Sequence, residues 1–370
     1  MLFFAYAAYN PLLGKYYKEL GFSGTQIGIL FSSATLITMF LQPFWGFVCD
    51  KKGKCKNIFI MMHVVIIGVS LLLPFIKNYW LLLITMSIHF IFQCGLFPLL
   101  DTMIYKDIYD FGKIRLWGSM GFAFMILFAG KIAEIIGINN MFFIYSLLML
   151  VSLFISIKID EKIVIRNKNI EKKKIGNLFN KNYSIFLLMG FFTMGAFTAG
   201  SQYYSILFSD IGGPMSAFGI TYFFIAISEV PFLKVSQRIV RKYGAEKLIF
   251  LSGIILIGRF ALNGLCKDYK ILMYTSIFMG SFIGIFLPAI AVFFKEKTDP
   301  NNRAIAVTVY SAISSGLGPM IFQFTGGIIY DHTNISILYI FLTIFIIIGT
   351  VFSKLLLNNI KSKKNIKVNL

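Results

Sequence analysis

One feature limits what this chain can fold into. It returns again and again to apolar stretches of about 20 residues, the length a helix needs to cross the hydrocarbon core of a bilayer. Twelve such stretches can be counted, over residues 1–17, 25–48, 57–76, 80–104, 114–136, 140–157, 183–208, 217–240, 246–265, 271–294, 304–330 and 335–356. In lipid, backbone N–H and C=O groups must find partners within the protein, and single apolar runs do so as helices. The expected fold class is therefore an all-α membrane protein with twelve transmembrane helices. Hydrophobic residues make up 57% of the 370 and charged residues only 14%, against about 25% charged in a soluble domain. A soluble core is excluded. Ser23 and Thr25, then Asn182, are placed to cap helix starts.

The formal charge of +19 would suggest nucleic acid in a soluble protein. Here the positive residues lie in loops, so no nucleic-acid partner is expected and the bilayer takes that place. One set of loops holds Lys51, Lys52, Lys54 and Lys56, then Lys106 and Lys113, the stretch Lys158–Lys181, Arg238 to Lys247, Lys295 to Arg303, and the tail from Lys361. The opposite set has little beyond Lys15, Lys18, Lys77, Lys131, Lys267 and Lys270. The positive-inside bias puts both termini in the cytoplasm of a bacterial-type cell, with the chain in its cytoplasmic membrane.

The Lys158–Lys181 stretch divides the spans six and six. The expected organisation is an N-terminal six-helix bundle (1–157), a basic cytoplasmic linker (158–182), a C-terminal bundle (183–357) and a basic tail (358–370). Such halves suggest a carrier with its site near the midplane between them. Cys49, Cys55, Cys94 and Cys266 form no C-x-x-C pair or zinc spacing, and are expected to be reduced. No metal or cofactor is expected. The N-terminal run lacks the basic start of a cleavable signal peptide, and its beginning at Met1 leaves room for residues upstream.

Charges inside the spans need a reason. Asp110–Phe122 starts as a polar turn and carries Arg115 into an apolar helix, with Asp101 upstream. About the turn near residue 108, Asp101 and Arg115 lie at one depth, roughly 10 Å in. About the turn near residue 244, Glu229 and Arg259 lie roughly 22 Å in. Each pair is expected to meet, either as a tie between helices or as a working pair. In the working reading Asp101 and Arg115 bind substrate, and Glu229 and Arg259 handle a proton. His89 shares a helix stripe with Gln93 and Asp101, and reads as a hydrogen-bonded bundle residue or a proton relay. His63 reads as structural. Trp117, Tyr203, Tyr204 and Tyr310 are candidates to line a pocket that stacks a ring, or are packing. Gly118 with Gly121, and Gly280 with Gly284, would allow close helix contact.

Between the second and third stretches, Gly46 to Lys54 reads G-F-V-C-D-K-K-G-K. This resembles the G-x-x-x-D-[RK]-x-G-[RK] signature of the major facilitator superfamily, in which it belongs to the cytoplasmic gate. The resemblance gives that role to Gly46, Asp50, Lys51 and Gly53. Asp110-Phe111-Gly112-Lys113-Ile114-Arg115-Leu116-Trp117-Gly118-Ser119 is similar to the fifth-helix signature of the phenylpropionate permease-like group, relatives of lactose permease-type and nucleoside proton symporters. Lys18-Glu19-Leu20-Gly21-Phe22-Ser23, Glu229, Arg259 and Val309-Tyr310-Ser311-Ala312 fall in matching places. The resemblance implies a twelve-helix major facilitator fold acting as a monomer and moving a small organic solute with protons. The solute class stays open between aromatic acid, saccharide and nucleoside. Members of the group often carry a histidine in helix 10, where this chain has Phe278, so an uncoupled uniporter or exporter is the alternative. An enzyme is not expected: no serine–histidine, metal-ligand or phosphate-loop constellation is present.

Overall fold

In the computed structural model, residues 1–52, 55–104, 111–158, 181–299 and 302–368 are described. Among them the chain is almost entirely helical. The first span is α1 (Leu2–Tyr9) and α2 (Leu13–Glu19), joined by a single tight turn at Asn10–Leu12. Pro11 lies in that turn, where its missing N–H breaks the α-helical ladder. Next come α3 (Gly24–Lys52), α4 (Cys55–Leu72), α5 (Tyr79–Ile104), α6 (Phe111–Ile136) and α7 (Met141–Ile157). The second half holds α8 (Lys181–Asp210), α9 (Met215–Tyr243), α10 (Ala245–Leu265), the short α11 (Tyr269–Thr275) running into α12 (Ile277–Lys297), α13 (Arg303–Ser311), α14 (Gly318–His332) and α15 (Ile335–Val368). Eleven of these helical spans are long and apolar enough to cross a membrane. The broken first span, α1 with α2, is the twelfth.

The eleventh span is also interrupted. Between α13 and α14 the backbone winds as a π-helix over Ala312–Leu317. Gly316 of this segment sits against the Met39 side chain of α3. Turns that reverse the chain use glycine with positive φ, and two occupy equivalent places in the halves. Gly21 (φ 80°) follows the first span and Gly212 (φ 78°) follows the seventh. A Cβ is strained in that region of backbone space.

Consecutive helices are often not neighbours. In the first half α3 packs along α5, α4 along α7, and α6 along α1. In the second half α8 and α10 pack along α15, and α9 along α12. Helix α9 makes little contact with α10. This overturns the expectation that Glu229 on α9 pairs with Arg259 on α10, because equal distance from a turn brings side chains together only where the two arms lie side by side.

The cysteine expectation is also corrected. Cys49, near the end of α3, is paired with Cys55 at the start of α4, with Cα atoms 4.9 Å apart. That separation suits a disulfide. Two helix ends joined by two residues hold the cysteines together, although no C-x-x-C spacing is present. Cys94 and Cys266 are free thiols.

Candidate functional site

The site of interest is the seam between the halves, built from three helix contacts. Helix α3 runs along α14, α6 along α9, and α2 against α8. Small residues permit the approach. At Gly28 an ideal Cβ would lie 2.7 Å from the Gln323 carbonyl and 3.1 Å from Gly327 Cα. At Gly219 it would lie 2.5 Å from the Ile126 carbonyl. Lipid gives helices no hydrophobic reason to associate, so close backbone packing of this kind carries the contact.

Polar bonds then cross the seam. The Lys15 N–H donates to Ser205 Oγ at 3.0 Å, and the Lys18 ammonium pairs with Asp210. Asp331 of α14 accepts from the N–H groups of Gly24 and Thr25, the latter at 2.7 Å. Glu134 of α6 accepts from the Ser216 N–H of α9 at 3.0 Å. Deeper in, Thr35 Oγ1 donates to Gln323 Oε1 at 2.8 Å, and the Phe31 ring meets Tyr203 edge-on. All of these lie between Thr35 and the face opposite the linker. Toward the linker, on the stripe of α3 that carries Gly28, Phe31 and Thr35 into the seam, nothing among the described residues outside the helix's own backbone comes within 4 Å of a Cβ built on Gly46. The seam is closed at one end, and this part of α3 is left uncovered toward the other.

The residues singled out from sequence fall in different places. Arg259 is 1% exposed, and donates to Tyr204 Oη and Thr275 Oγ1, both at 2.7 Å. Its cation is thus held by two neutral oxygens from α8 and α11, and no ion pair joins it to Glu229. Glu229 is half-buried on α9, where its backbone lies against Gly284 of α12. The expected close contacts at Gly280 and Gly284 are made, to Ile225 and Ser228 and to Glu229 and Phe232. Tyr203 is fully enclosed, its hydroxyl spent on the Gln323 carbonyl at 2.8 Å. Tyr310 is buried, stacked on Phe186 with centroids 4.8 Å apart. Both, with Tyr204, serve packing in this conformation and offer no open ring to a solute.

His89 is also enclosed. One ring nitrogen meets Tyr9 Oη at 3.0 Å and the other Ser70 Oγ at 3.3 Å, inside the first half. This is the bundle-residue alternative, and no carboxylate or ammonium stands among its described partners to pass a proton. His63 is likewise internal, bonded to the Phe59 carbonyl and Ser152 Oγ. Trp117 is 70% exposed at the start of α6, while Gly118 beside it packs on Phe3. Asp101 is half-buried near the linker-side end of α5 and is engaged. The Arg115 and Asp50 side chains and all of Gly53 lie outside the described residues, so neither the Asp101–Arg115 pairing nor the gate motif as a whole falls within them. Lys51 is exposed, and Gly46 makes no close helix approach in this conformation.

Sequence reasoning missed Glu134, Asp331, Thr35 and Gln323, and took Lys18 as a loop charge and as part of the resembled Lys18–Ser23 segment, without a partner. A signal was present. Gly130-x-x-x-Glu134 and Gly327-x-x-x-Asp331 put a carboxylate one turn beyond a glycine at the end of the fifth and eleventh spans.

Known proteins agree with this architecture. The family model described as MFS_1 like family matches residues 1–341. The chain is 29% identical to the uncharacterized transporter YwbF of Bacillus subtilis over 92% of its own length and 86% of that relative. It is 25% identical to the maltose permease of Geobacillus stearothermophilus, over 94% and 90% of the two chains. Among solved structures, the nucleoside transporter NupG superposes with a TM-score of 0.82 at 18% identity, over 96% of each chain. With the family model spanning both six-helix halves, the chain belongs to the MFS_1 like family and is a secondary transporter of the major facilitator fold.

Proposed function

We propose that this transporter takes up a small organic solute together with protons by alternating access, as a monomer in the cytoplasmic membrane with both termini in the cytoplasm. The observation that carries the reading is the one-sided seam. Bonds between the halves are concentrated from Thr35 outward, while farther toward the linker the seam face of α3 at Gly46 has no close neighbour among the described residues. A carrier closed on one face is one of the two states that alternating access needs. The basic loops cluster on the uncovered side, which supports calling it cytoplasmic.

In this reading the solute is held between the halves on the linker side of Thr35. Asp101, Arg115 and Trp117 are the candidate contacts from the first half. Glu229 is the candidate proton carrier, a half-buried carboxylate inside a span with no ion-pair partner among the described residues. Relatives include a maltose permease and a sucrose permease of Escherichia coli, so a saccharide is the first solute class to try. Purified protein in liposomes, given labelled maltose, sucrose, 3-phenylpropionate or a nucleoside in counterflow, identifies the class. Glu229→Gln is then expected to abolish uphill uptake driven by a proton gradient while exchange continues. Uphill uptake at the wild-type rate would remove Glu229 from the coupling step.

One observation favours uncoupled flux instead. Phe278, where the resembled group often has a histidine, is 50% exposed on α12, and Arg259 is not paired with Glu229. Solute flux without alkalinisation of the outer medium would select that reading.

A further inference from the structure

The closed end of the seam carries one device twice. Asp331, at the end of α14 in the second half, accepts the first N–H groups of α3 in the first half. Glu134, near the end of α6 in the first half, accepts the Ser216 N–H and hydroxyl of α9 in the second half, at 3.0 and 3.3 Å. Each carboxylate stands four residues beyond a glycine at which the helices cross, Gly327 for Asp331 and Gly130 for Glu134. The donors are the second and eighth spans and the acceptors the eleventh and fifth, equivalent places in the two halves. Between them, Lys18 and Asp210 join the ends of the first and seventh spans.

We propose that Glu134 and Asp331 are a matched pair of latches that hold this end of the transporter closed, each setting a carboxylate against the N-terminus of a helix in the opposite half. A helix N-terminus carries partial positive charge and unpaired N–H groups, and an anion there is stabilising. A carboxylate capping its own helix would favour open and closed states equally and would gate nothing. Here donor and acceptor belong to different halves, so the bond exists only while the halves meet. Helix α3 keeps a cap of its own when Asp331 withdraws: Ser23 Oγ accepts from the Gln26 N–H at 3.2 Å, and Gln26 Oε1 accepts from the Ser23 N–H at 3.0 Å. Helix α9 starts after Pro214 with no side-chain cap from its own half. The Ser23 cap serves the Gln26 N–H and not the Gly24 and Thr25 N–H groups, so both latches leave helix N–H groups without a protein acceptor when they open.

Lys18 stands beside them at the end of α2, and its ion pair with Asp210 is a third contact between the halves at this end.

The inference rests on alternating access, and the test reads conformation without solute, so it can fail while the transport assignment stands. A reporter cysteine replaces Thr35, about 16 Å in from Gly24 along α3, with Cys266→Ser removing the free thiol in the loop after α10. Intact cells are treated with a membrane-impermeant maleimide. Glu134→Ala and Asp331→Ala are each expected to raise the labelling rate about two- to fivefold, and the double variant to multiply them. Glu134→Gln and Asp331→Asn keep the shape and an acceptor without the charge, and should fall in between. Gel filtration confirms that each variant is folded. An unchanged rate in the folded double variant would overturn the proposal.

Discussion

Replacing Gly219 with alanine should disturb the balance between closed and open states far more than its single methyl group suggests. A Cβ there would lie 2.5 Å from the Ile126 carbonyl and 3.1 Å from that of Leu127, whereas ordinary contact begins at 3.4 Å. Both obstacles are backbone, so no rotamer change relieves them. Helices α6 and α9 must separate by 3.4 − 2.5 = 0.9 Å at the crossing. Overpacking of this size costs about 1–3 kcal/mol. Alanine in place of a mid-helix glycine returns about 0.5–1 kcal/mol in either state. The alanine gain cancels between the two states, whereas the overpacking term acts only where the halves touch, and about 1–3 kcal/mol against the closed state is a factor of roughly 5–160 in population. Maleimide labelling of the reporter in the Thr35→Cys, Cys266→Ser background is the assay, and its rate should rise by about that factor. Gly258→Ala is the control, because nothing lies within 4 Å of a Cβ at Gly258, and it should leave the labelling rate unchanged. If Gly219→Ala and Gly258→Ala label alike, the seam is not held by this crossing and the reasoning fails.

Tyr204→Phe removes a hydroxyl that accepts from Arg259 at 2.7 Å. It should lower stability by about 1.5–3 kcal/mol, the range for a hydrogen bond to a charged group, read as a fall in the thermal unfolding midpoint of purified protein. Tyr203→Phe gives up only a neutral bond to the Gln323 carbonyl and should cost about 0.5–1.5 kcal/mol. If Tyr203→Phe proves the more damaging, the Tyr204 hydroxyl does not hold the Arg259 guanidinium as described. His89→Leu leaves the Tyr9 and Ser70 hydroxyls without their shared partner, so stability should fall by roughly 2 kcal/mol or more while the proton-to-solute ratio of the remaining transport stays the same. A changed ratio would return His89 to the proton path.

The sequence was most legible where lipid imposes one answer. Long apolar runs between basic loops became helices at close to the expected limits, and the only span below the length test is the one broken at Asn10–Leu12. Glycine spacing predicted the contacts of Gly280 and Gly284, because a missing side chain matters wherever a neighbour arrives. What failed was adjacency. Equal depth along a hairpin was taken as contact, but α9 lies along α12 and α6, so Glu229 and Arg259 do not pair. Three of the aromatic candidates are enclosed in this conformation for a related reason. A tyrosine reads the same in sequence whether it faces a cavity or a neighbouring helix, and here Tyr203, Tyr204 and Tyr310 face helices. The seam carboxylates were written in the chain as two glycine–acid pairs at the same spacing, but they become conspicuous only once the fifth and eleventh spans are known to be equivalent.

The π-helical stretch at Ala312–Leu317 divides the eleventh span into two rods with different loyalties. On one side of it, α14 is tied to the other half through Gly327, Gln323 and Asp331. On the other, α13 packs within its own half, where the Ala306 carbonyl accepts from the Tyr183 hydroxyl at 2.7 Å. A joint placed between a rod that follows one partner and a rod that follows the other lets the two ends of the carrier move out of step. Closing on the linker side can then begin while the far side is still latched, with a state shut at both ends in between.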